Sequence, residues 1–127
     1  MRATILRADA RTCTFEGEGH VNGVAVAVSC DTSAAVARMT FHADQPLLAL
    51  GEDRWYECLL LDEAGRTLRT RNELWIGADG SAEVLFDGTG ELPQGLTLYI
   101  LECQEGPWDR DEAMKNAEPI RLLLKTE

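Results

Sequence analysis

Between Arg54 and Leu101 the chain repeats one pattern: short runs of alternating side chains, cut by turn residues. The runs are Trp55–Leu61, Thr67–Ile76, Ala82–Phe86 and Leu96–Leu101. Trp55, Glu57, Leu59 and Leu61 fall on one face, with Tyr56, Cys58 and Leu60 on the other. Leu96, Leu98 and Ile100 likewise oppose Thr97, Tyr99 and Leu101. A period of two belongs to a strand with one face turned inward. The breaks carry turn chemistry. Asp62-Glu63-Ala64-Gly65 pairs an opening acid with a closing glycine, and that glycine can take a positive φ. Asp79-Gly80 suits a type I′ hairpin turn, since both residues tolerate left-handed angles. Asp87–Gly95 is a longer connection, with Pro93 kept out of any central strand because it has no N–H to donate.

The flanking segments extend the pattern. Ala3–Ala8 and Thr12–Glu16 read as strands, the second ended by Gly17 and Gly19. Within Val21–Cys30, Asn22-Gly23 marks a turn or bulge before Val24, Val26, Val28 and Cys30, which share one face. β-Branched content favours strand there. Ala34–Phe41 has helix-forming alanines, yet Ala37, Met39 and Phe41 alternate with Arg38, Thr40 and His42, so it is read as a strand. Asp44–Asp53 is a connection around Pro46, with Leu47, Leu48 and Leu50 turned inward. Asp109–Ala117 has the composition of one or two helical turns, stopped by Pro119. Ile120–Lys125 is a closing strand with Ile120, Leu122 and Leu124 on one face.

These elements predict an all-β fold: a single antiparallel β-sandwich, immunoglobulin-like, of about eight strands with one short helical turn near residues 109–117. The 127 residues form one domain, 1–127. Leu59, Leu61, Leu98 and Ile100 are expected in a shared core. Trp55 and Trp75 are expected to pack in the core or on the sheet face.

Charge limits the partners. Net charge is −10, and the 12 basic residues form no cluster. Nucleic acid and anionic membrane surfaces are therefore not expected to bind. No run approaches the ~20 apolar residues of a membrane span. Ile5-Leu6 is followed too soon by Arg7 and Asp9 to make a signal-peptide core.

The chemistry-bearing residues do not assemble in sequence. His20 and His42 are the two histidines, and Ser29, Ser33 and Ser81 lack the context of a nucleophile elbow. Cys13, Cys30, Cys58 and Cys103 form no C-x-x-C pair. They read either as free buried thiols or as bridges, with Cys58–Cys103 and Cys13–Cys30 the pairings considered. Asp109, Asp111 and Glu112 are candidate cation ligands, though acids also favour a helix start. Trp108, after Gly106-Pro107, is a candidate interaction surface.

The latter half resembles the C-terminal β-sandwich of the extracytoplasmic region of bacterial anti-sigma-factor-like membrane proteins of unknown function. Leu61-Asp62-Glu63-Ala64-Gly65, Phe86-Asp87-Gly88, Leu92-Pro93-Gln94-Gly95-Leu96-Thr97-Leu98 and Pro119-Ile120-Arg121-Leu122 carry the resemblance, over roughly residues 54–125. It implies an immunoglobulin-like, non-enzymatic domain in the cell envelope. The chain lacks the helical segment and membrane helix that precede that sandwich in the family.

The resulting expectation is a non-enzymatic binding or interaction module with no cofactor and a protein partner, in an extracytoplasmic setting if the resemblance holds. The competing reading is a small cation-binding protein or enzyme using the Asp109/Asp111/Glu112 loop. Neither the partner nor the oligomeric state is specified by these residues.

Overall fold

Asn22-Gly23 makes the tightest strand connection among the described residues. Both residues have positive φ (50° and 80°), so the reversal takes two residues and pairs Val21 with Val24. This is the expected hairpin geometry. It joins β1 (Cys13–Val21) to β2 (Val24–Thr32), which passes through Ser33 to β3 (Val36–Ala43). The structure, a computed structural model, describes residues 12–47, 50, 52–72, 74, 76–77 and 79–125. The expected Ala3–Ala8 strand, Leu48 and Trp75 lie outside the described residues. The remaining elements are β4 (Arg54–Asp62), β5 (Thr67–Leu68), β6 (Ser81–Asp87), β7 (Leu96–Gln104), helix α1 (Arg110–Asn116) and β8 (Ile120–Leu124).

The all-β antiparallel fold, the eight strands and the short helix follow the sequence reading. The eight strands of the described residues belong to one sheet, in the order β5-β4-β7-β8-β1-β2-β3-β6. The two packed faces are thus halves of one coiled sheet. The two ends of that order also meet. Thr70 bridges Phe86, the Arg71 N–H donates to the Leu85 carbonyl at 2.8 Å, and the Asp87 N–H donates to the Arg69 carbonyl at 2.7 Å. Residues 69–72 thereby tie β6 to the β5 side and bring the sheet to near closure as a small barrel.

Several boundaries differ from expectation, each for a local reason. β1 runs through Gly17 and Gly19 instead of stopping there. A Cβ on Gly17 would stand 2.2 Å from the Arg121 carbonyl oxygen, so β8 can approach only where β1 has no side chain. Among the described residues of the long Thr67–Ile76 run, only Thr67–Leu68 form a strand, β5. The Asp79-Gly80 turn has positive φ at Gly80 (81°), with the Gly80 N–H on the Gly77 carbonyl at 2.9 Å and the Gly77 N–H on the Ser81 carbonyl at 2.7 Å. Gly77 and Ser81 thus enclose a three-residue loop and not the two-residue type I′ turn anticipated.

The shared core also needs correction. Leu98 and Ile100 do face the barrel interior, with Phe15, Phe41, Phe86, Met39 and Leu60. Leu59 and Leu61 face the other way. Leu98 stands opposite Leu60 in the β4–β7 ladder, so the residues beside Leu60 must point outward. On that outer face Leu59, Leu101 and Cys103 make a second small core with Leu61 and Tyr99, covered by Ala113, Met114 and Ala117 around α1. The unbroken apolar run Leu98-Tyr99-Ile100-Leu101 reflects a strand covered on both sides.

Candidate functional site

The two ends of the barrel are built differently. At the end holding Asp62, Thr32 and Asp87, the turns close over the core. The Gly88 and Gly90 N–H groups donate to the carbonyls of Ala35 (2.8 Å) and Ala34 (2.9 Å). Asp62 is buried, and its carboxylate accepts from the backbone N–H of Ala64 (3.0 Å), the backbone N–H of Arg66 (2.8 Å) and Arg66 Nε (2.8 Å). Burial alone pushes the carboxyl up; the Arg66 and Ala64 bonds and the Arg66 charge outweigh it and hold Asp62 below the ordinary carboxylate range.

At the other end the wall is incomplete. β5 meets β4 only at Leu60 and Leu61, so Arg54–Leu59 has no β5 partner along that edge. On the far side, the 69–72 segment reaches β6 through Glu83, Leu85, Phe86 and Asp87. Between these edges lies a cavity of about 860 Å³. Its inner wall is Tyr56, Cys58 and Val84; Leu47, Leu50 and Leu74 line it from the loops. Its size lies within the usual range of small-molecule sites.

The polar groups at this mouth are few. Arg54, Glu57, Thr70, Arg71 and Asn72 lie around it. Arg71 Nε is bonded to Asp87, and Arg54 Nη2 is 3.6 Å from Glu102. Glu57 Oε1 accepts from Trp55 Nε1 at 3.2 Å. The Tyr56 hydroxyl accepts from Asn22 Nδ2 at 2.9 Å. Burial, with the Glu57 charge behind it, pushes the Cys58 thiol up to about 12. Cys58 therefore holds its proton at neutral pH and is a poor nucleophile.

Trp108 lies at the same end, in a second cleft of about 310 Å³ beside α1. It is 38% exposed, and its indole N–H donates to the Glu102 carbonyl at 2.9 Å. Trp55, expected to pack, is 41% exposed at the rim of the larger cavity. The cleft near Trp108 holds Glu102, Asp109, Glu112 and Glu118 against Arg54 and His20. Asp109 is the N-cap of α1, its Oδ1 accepting from the Asp111 N–H at 2.9 Å. Asp111 and Glu112 occupy the first helical turn. Among the described residues no group of three or more His, Cys, Asp or Glu is arranged to hold a metal ion.

The four cysteines are free. Cys58 pairs with Ile100 and Cys103 with Trp55, so the two thiols stand on opposite faces of the β4–β7 ladder. That excludes the bridge considered between them. Cys13 opposes Thr32 and Cys30 opposes Phe15, which makes Cys13 and Cys30 diagonal neighbours. Such diagonals stand about 7–8 Å apart, beyond ordinary disulfide reach. His20 Nδ1 lies 3.4 Å from Glu118 Oε2, and His42 is exposed on β3.

The sequence reading named Trp108 but missed the larger cavity. The alternation of Tyr56 and Cys58 was visible; the early end of β5, which uncovers them, was not. Comparison with known proteins finds no matching family model, no matching curated protein and no matching solved structure.

Proposed function

We propose that this domain is a non-enzymatic binding module whose site is the cavity between β4 and β6. One observation carries the reading: a cavity of about 860 Å³ opens where strand pairing stops, lined inside by Tyr56, Cys58 and Val84. Eight-stranded barrels have interiors wide enough for packed side chains or one small ligand. Here the side chains fill one end and leave the other open. An apolar inner wall with polar groups at the rim suits a small molecule bound partly by burial. The protonated Cys58 argues for binding and against covalent chemistry at this wall.

An extracytoplasmic setting, and membership of an envelope-signalling assembly, come from the resemblance and belong to this proposal as its context. The free thiols withdraw the disulfide support for that setting. A protein partner at Trp108 is compatible with the same module, since both openings share Arg54.

N-phenyl-1-naphthylamine, a neutral apolar dye, tests the site. Its fluorescence should rise saturably at one site per chain. Leu50→Arg and Leu74→Arg, which place charge in the lining at two partly buried loop residues, should weaken dye binding by about tenfold or more, given the cost of burying an unpaired charge. A linear, unsaturable rise, or equal binding by both variants, would overturn the proposal.

A further inference from the structure

Charge divides the openings of this molecule. The cleft beside α1 has four acidic residues, Glu102, Asp109, Glu112 and Glu118, against Arg54 and His20. The shallow groove over β1–β3 and β6 holds Glu16, Glu18 and Glu83 with His42. Among the described residues, the β4–β6 cavity alone of these three has more cations than acids in its lining: Arg54 and Arg71 against Glu57. This occurs in a chain of net charge −10. The acids that pair with the two arginines, Glu102 and Asp87, stand outside the cavity lining. Glu57 is engaged by the Trp55 indole.

Resting on the cavity reading above, we propose that the ligand is a free amphipathic monoanion: an apolar body seated against Val84, Leu50 and Leu74, and a carboxylate at Arg71 and Arg54. A guanidinium offers five N–H donors. The Asp87 contact uses the Nε of Arg71, and the forked remainder suits a carboxylate. The tail needs no specific partner, because apolar burial is non-directional. The head fixes which end enters last.

The test uses dodecanoate, 1-dodecanol and dodecyltrimethylammonium, which share one alkyl chain, each competing with the naphthylamine dye. Dodecanoate should displace it about ten- to a hundredfold more tightly than the alcohol, the range expected of a charge-assisted hydrogen bond. The cation should compete least. Arg71→Gln combined with Arg54→Gln should bring dodecanoate down to the level of the alcohol and leave the alcohol unchanged. Both side chains are about half exposed, at 48% and 44%, so the variant should keep its fold. Added salt provides a check without mutation, weakening dodecanoate and sparing dodecanol. Equal affinity for acid and alcohol would overturn the anionic-head proposal while leaving the cavity standing. Failure of the dye itself to bind would remove both.

Discussion

The two ends of this barrel start from the same strands and finish differently. At the Asp62 end every neighbouring pair is held, and the last gap is closed by residues 69–72 lying on β6. At the Arg54 end β5 no longer separates β4 from β6, and a cavity takes its place. The difference does not come from side-chain size, since large residues line both regions. It comes from where backbone pairing stops. A paired strand brings its alternate side chains into the interior, whereas irregular backbone cannot fill the volume at that density. Stability should therefore concentrate at one end and binding at the other.

Matched truncations give the largest expected effect. Phe86 is fully buried near the sealed end, where Thr70 bridges to it. Phe86→Ala should cost about 3–5 kcal/mol, the loss of a buried aromatic together with the cavity left behind. Leu74 packs only partly against the same core and already borders empty space. Leu74→Ala should cost about 1 kcal/mol or less, because little new cavity forms. Urea denaturation of both variants measures the contrast. Equal costs would mean that the open end is packed as tightly as the sealed one.

A smaller effect separates the ends by pH. Asp62→Ala strips the Ala64 and Arg66 N–H groups of their acceptor. It should destabilise by about 1–3 kcal/mol at neutral pH. The folded carboxyl lies below its ordinary value of 3.8. A group depressed in this way stabilises fully above the unfolded pKa and loses its contribution as pH falls through the folded one. The gap between wild type and Asp62→Ala should thus be constant from about pH 7 to 5 and narrow below about pH 4. A gap that persists undiminished at pH 2 would show that the charge on Asp62 is not what holds the turn.

The sequence displayed the sealed end well and the open end poorly, for a physical reason. Turns such as Asp62–Gly65 and Asn22-Gly23 are written in residues with local conformational preferences, and they appear where expected. Alternation likewise located β2, β3, β4 and β7. Alternation does not say which face is inside when both are covered, and Leu59 was therefore assigned to the wrong core. Nor does it reveal which partner a strand lacks. Thr67–Ile76 has strand-like composition, yet its pairing with β4 ends after Leu68 and residues 69–72 turn to β6, because pairing is decided by residues far away in the chain. Trp108 could be picked out as an exposed aromatic after Gly-Pro. The cavity could not, because it is a missing neighbour and not a motif.

The finest comparison uses two thiols with the same chemistry and different access. Burial pushes both Cys30 and Cys58 up to about 12, the charges of Asp31 and Glu57 adding to it respectively. Their intrinsic reactivity at pH 8 is accordingly similar and low. Cys30 has no exposure and lies in the barrel core, whereas Cys58 forms part of the cavity wall. A small alkylating agent can reach Cys58 through the cavity, but should reach Cys30 only when the strands open. Timed labelling with iodoacetamide, read by peptide mass spectrometry, should give partly exposed Cys13 first, then Cys58, then Cys30. Urea below the unfolding transition should accelerate Cys30 and leave Cys58 nearly unchanged, since only the first requires unfolding. Dodecanoate should slow Cys58 specifically if the cavity takes it. Parallel rates and parallel urea dependence for the two thiols would mean that the β4–β6 end is no more open than the Asp62 end.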